Sequence, residues 1–189
     1  VYMGMGEPLL NYKNVIQSIR LACCPIEGLG ISPKRITIST SGISKMIDKL
    51  AHENLRCNLA LSLHSADDEI RSSLMKINDS NNVESLSKSL KYFYEQTKIR
   101  PTIEYTLLKG VNDKISDATK LASFCKNFPT KINIIEYNKI DNGLFEKSSP
   151  SNTETFINCI KRKNIPITYR ISKGKDIKAA CGQLVNEGK

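Results

Sequence analysis

Short apolar runs alternate with amphipathic helical patterns along the whole chain, and this alternation leaves few folds open. The runs cover residues 1–5, 35–40, 58–64, 102–108, 131–137 and 165–171. Most are continuously apolar, as in Ile132-Asn133-Ile134-Ile135. Strands buried on both faces have this character, and parallel sheets bury both faces. Helical spacing fills the intervals at residues 14–24, 43–52, 66–77, 83–98, 116–128 and 152–163. In the first of these Val15, Ile16, Ile19 and Ala22 share a stripe, and Pro25 ends it. Gly28, Gly30, Gly110, Asn112-Asp113 and Asn142-Gly143 punctuate the joins.

Strand–helix alternation with right-handed crossovers gives either an open doubly wound sheet or a (β/α) barrel. Periodicity does not separate them, but the polar residues help. Gly6-Glu7-Pro8, Ser39-Thr40-Ser41-Gly42, Ser62-Leu63-His64 and Tyr137-Asn138 each close a strand. Clusters at the carboxyl ends of several successive strands converge on one mouth, which favours a barrel or an arc of one. The chain of 189 residues suits one domain. Its apolar and charged fractions, 40% and 25%, exclude disordered and fibrous classes. No run is long enough to span a membrane, and no signal peptide opens the chain. Val1-Tyr2-Met3 already reads as strand without a preceding turn, so the sequence reads as a portion of a longer protein.

The candidate chemistry lies at the strand ends and near the carboxyl terminus. In Gly4-Met5-Gly6-Glu7-Pro8 two glycines permit close backbone approach, and Glu7 could receive an ammonium. The loop lacks both phosphate-binding signatures, and taken alone it is a tight strand–helix turn. Ser41 is placed to cap a helix, which leaves Ser39 free to face the mouth. His64 ends a strand but belongs to no triad, and His52 falls near a helix end. Cys181 sits among small residues in Ala179-Ala180-Cys181-Gly182, with Lys173, Lys175 and Lys178 nearby to favour the thiolate. The other cysteines are Cys23, Cys24, Cys57, Cys125 and Cys159, and no pair has metal-ligand spacing. They read as reduced thiols of a cytosolic protein, with Cys23, Cys125 and Cys159 in core positions. The net charge of +9 is concentrated at residues 161–178, where seven basic residues accompany only Asp176. Such a stretch is usually a solvated face; beside a candidate nucleophile it also suits a phosphodiester backbone. Trp is absent and aromatics are 6%, so stacking of bases on exposed rings is not the obvious binding mode.

Five segments occur in order: Gly4-Met5-Gly6-Glu7-Pro8-Leu9, Ser39-Thr40-Ser41-Gly42, Ser62-Leu63-His64, Thr102-Ile103-Glu104-Tyr105 with Val111-Asn112-Asp113, and Ala179-Ala180-Cys181-Gly182-Gln183-Leu184. Together they resemble the RlmN/Cfr family of radical S-adenosylmethionine RNA methyltransferases, on its RlmN branch. The resemblance implies a partial (β/α) barrel of the TIM type, lacking here the first strand and the CxxxCxxC loop that holds a [4Fe–4S] cluster. The chain is then the C-terminal part of a radical S-adenosylmethionine core domain, spanning residues 1–189. Gly6 and Glu7 are implied to contact the methionine part of S-adenosylmethionine. Ser39, Ser62, Leu63, His64 and Asn138 are implied to contact the rest; Asn138 is followed by Lys139 where the family usually has proline.

Cys181 is implied to be the methyl-carrying cysteine. The target would be C2 of an adenine in 23S ribosomal RNA and, in some members, transfer RNA. That carbon is not nucleophilic, so Cys181 is methylated first. A radical formed from a second S-adenosylmethionine then activates the S-methyl group for addition to the base. A second cysteine resolves the adduct by forming a disulfide with Cys181. In the family it lies upstream, and none of the five other cysteines here matches it. The resemblance further implies an external electron donor, a cytoplasmic location, and no activity for this chain alone. The alternatives are methylation at adenine C8, as in the Cfr branch, a non-catalytic RNA-binding barrel, and a phosphate-binding barrel enzyme. For the last, residues 137–144 supply no convincing phosphate cradle.

Overall fold

The computed structural model describes residues 1–4, 6–139 and 143–170. Among them, five strands form one sheet: β1 Thr37–Thr40, β2 Asn58–Ser62, β3 Thr102–Leu107, β4 Lys131–Glu136 and β5 Ile167–Arg170. The helices are α1 Tyr12–Cys23, α2 Ser44–Leu50, α3 Asp68–Leu74, α4 Val83–Thr97, α5 Ile115–Cys125 and α6 Pro150–Lys161. Every neighbouring pair of strands is parallel, and the spatial order is β1-β2-β3-β4-β5. A doubly wound sheet reverses its order at a switch point. An unreversed order with right-handed crossovers puts all helices on one side and makes the sheet an arc of a barrel. This settles the choice that periodicity left open.

The two faces of the arc differ in chemistry. Ile38, Leu59, Leu61, Ile103, Tyr105, Ile132 and Ile134 alternate onto one face and are fully buried. They share a single core with Ile47, Leu86, Leu90, Phe93, Leu121, Phe156 and Ile160 of the helices. The other face carries Ser39, Ala60, Ser62, Thr102, Glu104, Thr106 and Asn133. A closed (β/α) barrel fills its interior with branched aliphatic side chains. Here, Ala60 and Ile135 apart, the inner face is polar, so it is built to meet polar groups.

Two segments differ from the sequence expectation. Of the run expected at residues 1–5, the described residues 1–4 form only an isolated bridge, Tyr2 in parallel to Ile38. Its N–H donates to the Thr37 carbonyl (2.8 Å) and its carbonyl accepts from the Ser39 N–H (3.1 Å). Gly4 and Gly6 then take φ of 138° and 93°, which ends the extended backbone. Ser41 does not cap α2. The N-cap is Ile43, and the Ser44 N–H is met by the Asn81 Oδ1 at 2.8 Å. Elsewhere the caps are local: Asp67 accepts from the Glu69 and Ile70 N–H groups, Asn82 from Ser85, and Ser149 from Asn152. The last expected strand is found at Ile167–Arg170; Ile171 lies outside the described residues.

Gly42 turns the chain from β1 toward α2 with φ of 107°, and a Cβ there would lie 2.8 Å from the Leu86 Cδ2 and 3.0 Å from the Leu61 Cδ1. Gly110 has φ of 71° but open space around it. In chemical denaturation we expect Gly42→Ala to lose about 2–4 kcal/mol, strain and overpacking combined, against about 1 kcal/mol for Gly110→Ala, strain alone. Equal losses would show that the packing around Gly42 yields freely.

Candidate functional site

The carboxyl ends of β1 and β2 and the loop after Tyr2 surround a cavity of about 460 Å³. Its lining includes Gly6, Glu7, Ser39, Ser62 and His64, five of the residues singled out in the sequence. They are distant in the chain, and the parallel sheet brings them together.

Glu7 is held by three donors. Its Oε1 accepts from the Leu9 N–H (2.9 Å), and its Oε2 accepts from the Ser41 N–H (2.6 Å) and hydroxyl (2.7 Å). The carboxylate therefore ties the first loop to the loop after β1. A carboxylate has about four lone-pair positions, so one remains for a ligand. Gly4 and Gly6 have nothing within 4 Å of where a Cβ would be, so ligand atoms can reach their backbone.

His64 follows β2 in a left-handed conformation, φ of 55°. Its Nδ1 accepts from the Thr106 N–H at 3.1 Å, so the neutral ring carries its proton on Nε2. Burial, and then the Arg71 guanidinium, push its pKa down to about 4. The ring thus offers a neutral N–H donor at the cavity. The His64 carbonyl accepts from the Asn112 Nδ2 (2.7 Å), which also donates to the Thr106 carbonyl (2.9 Å). The Asn112 Oδ1 accepts from the Leu108 N–H at 2.7 Å. This buried amide joins the end of β2 to the end of β3.

Leu63 has its side chain in the core, fully buried. Its N–H donates to the Glu104 carbonyl (3.0 Å) and its carbonyl accepts from the Arg71 Nε (3.2 Å). Asn138 is buried just after β4 and is not among the residues lining this cavity. Cys181, with Lys173, Lys175 and Lys178, lies outside the described residues. Of the basic stretch, Lys161, Arg162, Lys163 and Arg170 are described, and all are exposed.

Sequence reasoning missed Arg71, which is fully buried in α3. Its NH2 donates to the Ser41 carbonyl (2.5 Å), and its NH1 to the Asn78 Oδ1 (2.7 Å) and the Asn81 carbonyl (3.3 Å). Nothing in the local sequence marks it. Glu104 and Asn112 lie within segments that carried the family resemblance, but no role was attached to either.

Among the described residues no group of three His, Cys, Asp or Glu side chains could hold a metal ion. The five described cysteines are free thiols. Burial pushes the Cys57 thiol up to about 11 and the Cys125 thiol up to about 12, as inert packing groups. These residues do not fit an iron–sulfur cluster, and no step assigned to them passes through one. No helix among the described residues is long and apolar enough to cross a membrane.

Comparison with known proteins agrees with this geometry. A family model described as the radical SAM superfamily matches residues 1–122. Two curated relatives are each called a probable dual-specificity RNA methyltransferase RlmN, one from Christiangramia forsetii and one from Flavobacterium psychrophilum. Each is 49% identical over 187 residues, 99% of this chain. The chain spans about half the length of these relatives, 53% and 54%. The crystal structure of a radical SAM methyltransferase from Sphaerobacter thermophilus superposes with a TM-score of 0.92 at 37% identity, covering 96% of this chain and 53% of that one. Matched over its first 122 residues by the family model, and built as an unreversed parallel arc with a polar mouth, the chain belongs to the radical SAM superfamily.

Proposed function

We propose that this chain is the S-adenosylmethionine-binding part of an RNA methyltransferase that modifies adenine C2 in 23S ribosomal RNA, and transfer RNA as well. The observation that carries the reading is the convergence of Gly6, Glu7, Ser39, Ser62 and His64 on one cavity at the strand ends. In this reading the Gly4–Gly6 backbone and the remaining acceptor of Glu7 take the amino-acid end of the cofactor. Ser39, Ser62 and the Nε2–H of His64 take the remainder, and Leu63 and Asn138 support them. The high net charge suits an RNA partner.

Cys181 is the proposed nucleophile. Its thiolate attacks the methyl carbon of the sulfonium; a sulfur–carbon bond forms, the sulfonium carbon–sulfur bond breaks, and S-adenosylhomocysteine leaves. A thiol whose thiolate is favoured by the positive charge of lysines close in sequence is suited to this displacement, whereas adenine C2 is not nucleophilic and cannot take a methyl the same way. Moving the carbon onto C2 needs radical chemistry, an external electron donor and a resolving cysteine, none of which these residues supply. The chain alone is therefore expected to leave RNA unmethylated.

Mass spectrometry of the intact protein after exposure to S-adenosylmethionine is expected to show one added methylene, mapped to Cys181. In the full-length protein Cys181→Ser should reduce RNA methylation to background, and the product nucleoside of the unsubstituted full-length protein should be 2-methyladenosine. An unmodified Cys181 in an active enzyme overturns the thiol intermediate, and 8-methyladenosine overturns the C2 assignment.

His64 gives a pH prediction. Its folded pKa, about 4, lies below the ordinary value of 6.5. Its contribution to stability is therefore complete above pH 6.5 and is lost as pH falls toward 4. Denaturation midpoints should fall across that window, and His64→Gln should flatten the fall. A ring shown by NMR to protonate near its ordinary pKa would overturn the neutral donor.

A further inference from the structure

The side of the arc opposite the mouth carries charge of one sign. It is built from the segments that enter the five strands: residues 30–36, 54–57, 98–101, 126–131 and 162–166. They contain nine Lys and Arg and no Asp or Glu, and the net charge of the whole chain is +9. The rest of the sequence is therefore balanced. All nine are exposed, and none of them has an ion-pair partner among the described residues. Glu53, just before the second segment, is committed to Arg20 at 2.8 Å.

Three of the nine have an ordinary reason to be there. Lys98, Lys126 and Arg162 cap the carboxyl ends of α4, α5 and α6, where a cation offsets the helix dipole. Arg35, Arg56, Arg100 and Lys131 stand instead at the starts of four successive strands. Ile36, Cys57 and Ile132, which follow three of them, are buried in the core, and Ile99 beside Arg100 packs against it. Alternation thus leaves the four cations on the side of the polar inner face, at its lower edge. Their backbones are held in place. The Lys34 carbonyl accepts from the Asn58 Nδ2 (2.8 Å), and the Pro101 carbonyl from the Thr130 hydroxyl (2.6 Å) and the Lys131 N–H (3.3 Å). Like charges on neighbouring strands repel, so the fold gains nothing from this row by itself.

A regular row of fixed cations suits a regular polyanion. Three ladder steps of ~4.8 Å make the row ~14 Å long. A duplex carries a phosphate every ~3.4 Å of axis on each strand, so the row lies along about four phosphates, one for each cation. The acidic patch of a protein has no such repeat. Phe128, the only aromatic residue in these segments, is buried. The contact is therefore with the backbone and not with stacked bases. The row lies ~20 Å below the mouth, the length of a six-residue strand such as β4. An RNA with its target base in the mouth reaches the row only if it is large and folds back around the arc. A short stem-loop cannot touch both.

We propose that Arg35, Arg56, Arg100 and Lys131 form a second RNA-contact surface, which takes the phosphodiester backbone of a large folded RNA on the side opposite the mouth. The proposal rests on the reading of the protein as an RNA methyltransferase, and adds where, and for which size of substrate, the RNA is held.

The test is binding of the full-length protein to protein-free 23S ribosomal RNA and to a short stem-loop bearing the target adenine, across a salt series. With Arg35, Arg56, Arg100 and Lys131 all changed to Gln, affinity for the large RNA should fall about 10- to 100-fold at 0.1 M salt, and the slope of log K against log salt should become shallower by about 3–4. Binding of the stem-loop and the melting temperature should not change. Each single substitution should take about one unit of the slope, which reads out the proposal if the fourfold variant does not fold. A control with Lys13, Lys45, Lys88 and Lys91 changed to Gln, all exposed on α1, α2 and α4, loses the same formal charge and should keep the slope.

A slope unchanged in the fourfold variant, or reduced as much by the control, overturns the proposal. So does an equal loss on the stem-loop, which would assign these cations to RNA held at the mouth. A lowered melting temperature with unaltered affinity would show that carboxylates of the protein's remaining half close on the row, and this too overturns it. If the full-length protein binds neither RNA, the reading as an RNA methyltransferase falls as well; if it binds both and the variant matches it, only the assignment of the row falls.

Discussion

The guanidinium of Arg71 holds the mouth together. It is fully buried, and it donates to carbonyl and amide oxygens of Ser41 after β1, Leu63 after β2, and Asn78 and Asn81 beyond α3. Burial lowers its pKa to about 10, so it stays charged at neutral pH. An arginine in this role makes use of its rigid fork, which can reach several acceptors at once where a lysine ammonium could not. Both loops that it grips contribute residues to the cavity. Removing it would leave several buried carbonyls unpaired, and each such loss is of the order of 1–3 kcal/mol.

Around that clamp the arc divides its labour by face. The aliphatic face packs on the helices and supplies the cohesion, and the polar face is left for a ligand. The two requirements are separated by the alternation of side chains along each strand, so neither compromises the other. The cavity stands where polar residues from the ends of β1 and β2 meet the loop after Tyr2.

The strands could be read because their apolar runs are long and dense, and the helices because their stripes are periodic. Ser39, Ser62 and His64 were legible as strand-end residues, and the structure gathers them with Gly6 and Glu7 around one cavity. What was not legible depends on contacts distant in sequence. Ser41 looked like a helix cap, since serine before a helix usually caps it, but Glu7 competes for both its N–H and its hydroxyl from 34 residues away. Leu63 looked like part of the mouth because it lies between two residues that are; strand alternation turns its side chain into the core. Arg71 carries no local sign, because its burial is created by loops that come from elsewhere in the chain. Residues 1–4 begin with strand-forming side chains, but the glycines at 4 and 6 turn the backbone, and among the described residues there only Tyr2 pairs.

The amide of Asn112 has a mechanical consequence. Its Nδ2 spans the carbonyls of His64 and Thr106 while its Oδ1 holds the Leu108 N–H. The spacing between those two strand ends is thereby set by the covalent length of one side chain. Thermal expansion of the aliphatic layer, or its replacement by bulkier residues, cannot widen that gap gradually. The aperture keeps its width until the amide lets go, and then changes in a single step.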